Sequence, residues 1–195
     1  MRNWLLETQG PDRRSKPRED QPVTHVLLHF MSNVVENPKD PYNIDQVRDI
    51  FVQNEMSAHY IIDRQGGLIK LVEEDRIAWH AGKGNLPDYP LYKNRLNSHS
   101  IGIEFLAMGS KKEMAPKYMA EKAYDNMNPD RLGFTDAQYE TANQLLAQIF
   151  QRHPTIIPNR KHIIGHDEYA GPAGRPDNPK VDPGELFDWN RIRLN

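Results

Sequence analysis

The chain has 195 residues, the length of one ordinary domain with room for a substantial core. Its net charge of -2, with no basic stripe interleaved with aromatic residues, argues against a nucleic-acid-binding protein. No apolar run approaches the ~20 residues that cross a bilayer, which argues against a membrane protein. The sequence has no cysteine, so disulfides and thiolate ligands are excluded, and any metal site must use His, Asp or Glu side chains.

The first 22 residues form a predicted N-terminal arm ahead of a single domain over residues 23–195. The arm has one apolar cluster, Trp4–Leu6. That cluster is shorter than the roughly 7–15 apolar residues of a signal peptide. The simplest interpretation of the arm is a flexible extension, and export would then need another route or a signal outside this chain.

Four elements are predicted in the first half of the domain. Val23–Phe30 is rich in β-forming residues and predicts a buried strand. Asn43 and Gln46 have the spacing of a capping box at the start of a helix over residues 43–54. Residues 58–64 and 68–74 read as strands on either side of a glycine-containing turn, so we expect a hairpin.

The second half of the domain continues the alternation of strands and helices. Ser100–Met108 predicts another buried strand, and the polar, Met-rich stretch 110–131 predicts a surface insertion with a short helix. Thr135 and Gln138 form a second capping box ahead of a helix over residues 135–153. Residues 161–166 predict a strand, and residues 184–192 a terminal turn or helix. The sequence therefore predicts an α/β fold, a central mixed β-sheet flanked by α-helices.

Side chains of the kind that bind metals or carry protons lie in three of these strands. His29 and His166 come at strand ends, where functional residues often lie, and Glu104 falls inside an apolar run. A buried carboxylate without a partner is costly, so Glu104 needs an explanation. Each residue alone also has a structural interpretation: a hydrogen-bonded histidine, an ion-pair partner and, for "KVDPG" at 180–184, a simple turn. Residue types by themselves therefore indicate only a candidate His/His/Asp site.

Four segments in a fixed order are far more specific than any single residue. They are "HVLLHFMS", "SAHYIIDRQGGLIKLVEEDRIAWHAG", "NSHSIGIEF" and "IIGHDEYAGPAGRPDNPKVDPGELFDW". Together they resemble the zinc-dependent N-acetylmuramoyl-L-alanine amidases of the type 2 family, which are related to phage lysozyme amidases and animal peptidoglycan recognition proteins. The resemblance runs from Val23 to Trp189 and implies a peptidoglycan-recognition-protein-like amidase fold.

The resemblance also implies a role for particular residues. One Zn²⁺ per chain would be bound by His29, His166 and Asp182. Catalysis would use Glu104 as general base and Lys180 as a positive charge beside the oxyanion.

Further positions follow from the same matched segments. The residues expected along the substrate cleft are Trp79, His80 and Asn97, and His59 is expected to be structural. The segment between His166 and Lys180 is longer than usual for the family, and we expect its extra residues to border the cleft. Tyr89 and Tyr92 are either cleft contacts or packed tyrosines of an ordinary loop.

The implied reaction is zinc-dependent hydrolysis of the amide between N-acetylmuramic acid and L-alanine in peptidoglycan or muropeptides, a bacteriolytic activity. The implied partner is that substrate, with no nucleic acid and no membrane, and the implied state is a monomer. A secreted or wall-associated enzyme is expected, with a cytoplasmic or phage-released one as the alternative. Two other functions stay open: a non-catalytic peptidoglycan-binding module, and a zinc peptidase that cuts within the stem peptide.

Overall fold

The computed structural model describes residues 1–3, 14–115 and 117–194. Within these residues, eight strands form two sheets. Their bounds are β1 Arg2–Asn3, β2 Ser15–Pro17, β3 His25–Met31, β4 Tyr60–Ile62, β5 Leu68–Lys70, β6 Arg76–Ala78, β7 Ser100–Leu106 and β8 Ile163–Gly165.

Five α-helices accompany the strands in the described ranges. They are α1 Ile44–Gln53, α2 Lys111–Met114, α3 Glu121–Asp125, α4 Asp136–Arg152 and α5 His166–Ala170. Single 3₁₀ turns occur at Pro90–Tyr92, Leu96–His99, Pro129–Arg131 and Trp189–Arg191. Among the described residues, no helix is long and apolar enough to cross a membrane.

The main sheet has six strands in the order β1-β5-β4-β7-β3-β8. Strand β3 lies parallel to both β7 and β8, whereas β4 and β5 pair antiparallel. The sheet is therefore mixed and flanked by helices, which confirms the predicted fold class. The hairpin predicted over residues 58–74 is confirmed as well. A second, two-stranded sheet pairs β2 antiparallel with β6.

Different helices pack on the two faces of the main sheet, and the site lies on the face that is only partly covered. Val26 and Leu28 of β3 belong to the same buried cluster as Ile103 of β7 and Leu145 of α4. Since successive side chains of a strand point to opposite faces, the alternate residues of β3 and β7 face away from α4. Helix α1 covers part of that second face, where Phe51 packs in a separate cluster.

The two predicted capping boxes have different outcomes. Thr135 and Gln138 make both reciprocal bonds at the start of α4. Asn43 does cap α1 by accepting from the backbone N–H of Gln46. The return bond is missing because the Gln46 amide oxygen accepts instead from the side chains of Asn33 and Asn37.

The N-terminal arm is not a flexible extension where the structure describes it. Arg2–Asn3 pairs parallel with β5, and Ser15–Pro17 pairs with β6. Arg18 is only 4% exposed. Its guanidinium donates to five backbone carbonyls, those of Glu74, Arg76, Asn97, Ser98 and Ser100. The expectation of a loose arm is therefore wrong for these residues. The predicted cluster Trp4–Leu6 lies outside the described residues, and the domain boundary at residue 23 stays a prediction.

The strand predicted through His166 ends one residue earlier. Gly165 closes β8, and His166 is the first residue of α5. The carboxylate of Glu168 accepts a hydrogen bond from the backbone N–H of Gly165 at 3.0 Å, as a residue in the first turn of a helix does. The long segment between His166 and Lys180 therefore begins with a short helix.

Candidate functional site

The side chains of His29, His166 and Asp182 converge at the open face of the main sheet. The Nδ1 atom of His29 lies 2.9 Å from Asp182 Oδ2 and 3.1 Å from His166 Nδ1. The Nδ1 atom of His166 lies 3.1 Å from the same Asp182 oxygen. Both histidines are buried, and the Asp182 side chain is 14% exposed. The sequence therefore predicted correctly that these three residues meet.

Different elements deliver the three side chains. His29 lies near the end of β3, and His166 opens α5 directly after β8, the strand beside β3. Asp182 lies in the following loop, which folds back because the backbone N–H of Asp167 donates to the Asp182 carbonyl at 2.9 Å. Lys180 is tied in the same way, by its backbone N–H to the Ala170 carbonyl at 2.8 Å. The carboxyl ends of two parallel strands and one returning loop thus form the site.

The donor set fits a zinc ion. In a tetrahedral zinc site with bonds of about 2.0–2.2 Å, neighbouring ligand atoms lie roughly 3.3 Å apart, close to the separations seen here. Burial is the main cause that lowers the pKa of His29 to about 4, so its ring is neutral at pH 7, as a ligand must be. The Nε2 atom of His166 lies 2.9 Å from the Ala81 carbonyl, an acceptor that fixes the ring and leaves Nδ1 for a metal.

Glu104 lines the same cavity as these three side chains. It is 8% exposed, and its Oε2 atom is buried and has no hydrogen-bond partner among the described residues. Burial raises the pKa of Glu104 well above its usual value, and the nearby Asp182 carboxylate adds to this shift while Lys180 opposes it. A buried carboxylate of raised pKa that faces a cavity can accept and return a proton.

A cavity of about 240 Å³ opens in front of these groups. Its polar end is formed by the three converging side chains together with Glu104 and Lys180. Its other walls are largely apolar and come from the loop after β3, from α1 and the residues just after it, and from the insertion at 110–131. They include Val35, Ile50, Met56, Met114 and Tyr118. The extra residues between His166 and Lys180 were expected to border the cleft, but of the described residues in that segment only Pro179 lines this cavity, next to Lys180, Val181 and Asp182.

The residues expected along the cleft divide into two groups. Trp79 and His80 line the cavity. Asn97 does not, because its amide oxygen accepts from the backbone N–H groups of His80 and Ala81, at 3.1 and 2.8 Å. In the structure, the Asn97 side chain therefore holds the loop that carries Trp79 and His80. Its contact with substrate stays a prediction.

Two other expectations concern packing. Tyr89 and Tyr92 stack on each other, with ring centroids 5.8 Å apart, and the Tyr89 hydroxyl lies 3.1 Å from His162 Nε2. They are packed loop tyrosines, and neither lines the cavity. His59 is fully buried and its Nδ1 accepts from the Gly102 N–H at 3.0 Å, which agrees with the structural role expected for it.

The insertion at 110–131, predicted as a surface segment with one short helix, also forms part of the cavity wall. It contains α2 and α3, and Met114 and Tyr118 form one wall of the cavity. The Glu113 carboxylate ties this wall to the loop beyond Asp182. It accepts from the N–H groups of Ser110, at 2.6 Å, and Glu185, at 2.8 Å. The spacing of Ser110 and Glu113 is that of a capping box, a signal in the sequence that would have located α2.

Known proteins are similar to this chain in sequence and in fold. A family model described as N-acetylmuramoyl-L-alanine amidase matches residues 19–185. The 1,6-anhydro-N-acetylmuramyl-L-alanine amidase AmpD of Enterobacter cloacae is 32% identical over 97% of this chain and 90% of its own length. A crystal structure of an AmpD selenomethionine derivative matches with a TM-score of 0.58 at 26% identity, over 97% of this chain and 94% of that one.

A third similarity is to AmiD of Escherichia coli, solved in complex with anhydro-N-acetylmuramic acid-L-Ala-D-γ-Glu-L-Lys. It has a TM-score of 0.60 at 24% identity, over 95% of this chain and 58% of that one, and is a likeness of fold. The amidase fold expected from the sequence is therefore confirmed. The chain belongs to the N-acetylmuramoyl-L-alanine amidase family.

Proposed function

We propose that the chain hydrolyses the amide bond between N-acetylmuramic acid and L-alanine in muropeptides, with one zinc ion bound by His29, His166 and Asp182. Family membership assigns the reaction class, an amidase. The observation that supports this mechanism most strongly is the convergence of the three ligand atoms at the end of an open cavity, beside the buried carboxylate of Glu104, whose Oε2 atom has no hydrogen-bond partner in the described part of the chain.

The names of similar proteins support an anhydromuropeptide as the substrate. The Enterobacter cloacae relative is named for the 1,6-anhydro-N-acetylmuramyl-L-alanine amide. The AmiD structure holds an anhydro-N-acetylmuramic acid linked to a tripeptide. We therefore expect this chain to act on an anhydromuropeptide, with the stem peptide leaving as the amine.

A zinc ion bound there supplies Lewis acidity, which polarises the scissile carbonyl and lowers the pKa of water to about 7. Glu104 takes the proton from the attacking water as its oxygen adds to the carbonyl carbon. The same carboxyl then returns that proton to the amide nitrogen as the carbon–nitrogen bond breaks. The products are a lactyl carboxylate on the sugar and a peptide with a free L-alanine amino group.

Lys180 places a positive charge at the wall of the same cavity. During the addition of water, negative charge develops on the carbonyl oxygen. An ammonium group held nearby, in a partly dehydrated cavity, stabilises that charge, a contribution of a few kcal/mol in comparable sites. The indole of Trp79 also lines the cavity and offers an apolar surface for the substrate to pack against.

Product analysis tests this proposal against both alternatives. The zinc-loaded chain is incubated with a purified anhydromuramyl tripeptide, and the products are identified by mass spectrometry. The amidase predicts free anhydro-N-acetylmuramic acid and an intact tripeptide. A peptidase would yield a shortened muropeptide, and a binding module would yield no product; either result would overturn the proposal. Two controls, chelated protein with and without added zinc, show whether product formation follows the metal.

A further inference from the structure

The hydroxyl of Ser100, at the start of β7, has only one hydrogen, and the structure shows where it goes. Ser100 Oγ lies 2.7 Å from the backbone carbonyl of Leu96. A carbonyl oxygen can only accept, so the hydroxyl donates to it. Ser100 is fully buried. Its oxygen is therefore left with acceptor capacity and nothing to donate to a second neighbour.

That second neighbour is His80. Its Nε2 atom lies 3.2 Å from Ser100 Oγ. Because the hydroxyl hydrogen is committed to Leu96, the hydrogen between these two atoms must be on His80 Nε2. A neutral His80 ring then has a bare Nδ1, which can only accept.

The bare nitrogen of His80 faces the metal-ligand candidate His29. His80 Nδ1 lies 3.1 Å from His29 Nε2. The hydrogen of this bond must come from His29, so the His29 ring carries its proton on Nε2. Its Nδ1 atom, which points at Asp182 and His166, is then free of hydrogen.

Packing holds the ring of His80 in the position that this chain of bonds requires. Gly102 lies against the imidazole, and a Cβ added there would come within 2.5 Å of His80 Cγ. The backbone N–H of His80 is bound as well, to the side chain of Asn97. The ring therefore contacts a strand on one side and is anchored through its own backbone.

We propose that Ser100 and His80 are positioning residues that select the tautomer of His29 and keep its Nδ1 atom free for the metal. The series of bonds runs from His29 through His80 and Ser100 to the Leu96 carbonyl. It deepens the proposed function, since it assumes that a metal is bound at the His29 site. It also gives His80 a role other than the substrate contact expected from the sequence.

Residues that contact a metal ligand without touching the metal can orient that ligand and fix its tautomer. A ligating histidine almost always donates its other N–H to an acceptor, and losing that acceptor typically costs 10–100-fold in metal affinity. His166 obtains its acceptor directly, from the Ala81 carbonyl. His29 obtains an equivalent acceptor only through a second histidine, whose own tautomer depends on Ser100.

The first test is nitrogen-15 NMR of the zinc-loaded wild-type chain. We expect His80 to carry a hydrogen on Nε2 that exchanges slowly with water, and no hydrogen on Nδ1. A proton on His80 Nδ1, or a doubly protonated ring at pH 7, would overturn the proposal. This test needs no variant and does not depend on amidase activity, so it separates the tautomer from the proposed reaction.

The second test measures zinc affinity by competition with a chelator. Ser100→Ala leaves the Nε2–H of His80 without an acceptor, and we expect zinc to bind 10–100-fold more weakly. The matched control is Thr141→Ala, which removes a hydroxyl that donates to the Gly66 carbonyl at 2.8 Å, in another part of the chain. The control should lower the melting temperature and leave zinc affinity unchanged. Wild-type zinc affinity in folded Ser100→Ala would contradict the proposal.

A pair of His80 variants provides the same test if Ser100→Ala fails to fold. His80→Asn keeps an acceptor oxygen near the position of Nδ1, whereas His80→Leu has none. We expect zinc affinity to fall by at least tenfold in His80→Leu and by less in His80→Asn. Equal affinities in the wild type and His80→Leu would show that His29 needs no acceptor and would overturn the inference.

Discussion

His29 and Glu104 are register partners on adjacent parallel strands, β3 and β7. Both side chains point away from α4, so the proposed metal ligand and the proposed general base share one face of the sheet. Backbone hydrogen bonds of two central strands fix their relative position. The other two proposed ligands, His166 and Asp182, come from α5 and from the loop that follows it.

The three candidate ligands should each be essential for metal binding. We predict that His29→Ala, His166→Ala and Asp182→Ala each lose zinc and nearly all turnover, because two remaining ligands cannot hold the ion. Zinc content by elemental analysis and amidase rate are the measurements. His99→Ala is the matched control, since His99 lies outside the group and stacks on Tyr92. One full equivalent of zinc in His29→Ala would show that the ligand has been misassigned.

Glu104→Gln separates catalysis from structure. The amide is nearly isosteric but cannot take a proton, so turnover should fall ~10²–10⁴-fold while zinc content and melting temperature stay near wild type. A purely structural Glu104 would give the opposite pattern, a less stable protein whose folded fraction turns over normally. Near-normal hydrolysis by stable, zinc-loaded Glu104→Gln would remove this residue from the mechanism.

Lys180→Ala should lower kcat and keep zinc, because the ammonium group acts on charge that develops only during the reaction. Loss of one such group typically costs ~10²–10³-fold in kcat. Lys117→Ala is the comparison, since Lys117 is an exposed lysine whose ammonium lies over the ring of Tyr118. Steady-state kinetics on both variants decide the point. Equal rates for Lys180→Ala and Lys117→Ala would exclude an oxyanion role for Lys180.

Glu74 should make stability depend on pH. Burial opposes its ionisation, but hydrogen bonds from Arg152, His153 and Tyr60 outweigh burial and hold the pKa of Glu74 well below its usual value. A depressed pKa in the folded state contributes stability above the unfolded value near 4.3, and this stability is lost as the pH falls toward the folded value.

Glu74→Gln should therefore destabilise the chain at pH 7, by about 1–3 kcal/mol for lost charge-assisted hydrogen bonds. The difference in unfolding free energy between wild type and variant should shrink as the pH falls below about 4.5. Denaturant titrations at pH 7, 5 and 3 measure that difference. A difference that stays constant over this range would contradict the assignment.

Local sequence signals located most of the fold. The runs of β-forming and apolar residues at 23–30 and 100–108 predicted the two buried strands β3 and β7, and the spacing of Thr135 and Gln138 located the start of α4. Because His29 and Glu104 were both placed on predicted strands, a shared sheet can bring them together. The residue types alone indicated only a candidate metal site. The specific ligand set came from the resemblance of four segments to the amidase family.

Long-range bonds explain what the sequence did not predict. Arg18 is buried because carbonyls that lie more than 50 positions away in the chain accept from it, and no local pattern reports them. Gln46 has the spacing of a capping box, yet its side-chain oxygen accepts hydrogen bonds from two asparagines that precede the helix. Asn97 matched a family position but binds the backbone behind the cleft.

Diffraction at the zinc absorption edge tests the central claim most directly. Crystals of the chain loaded with one equivalent of zinc should give a single strong anomalous peak within bonding distance of His29 Nδ1, His166 Nδ1 and Asp182 Oδ2. A dominant peak at any other place, with none between these three atoms, would contradict the metal site on which the proposed hydrolysis depends.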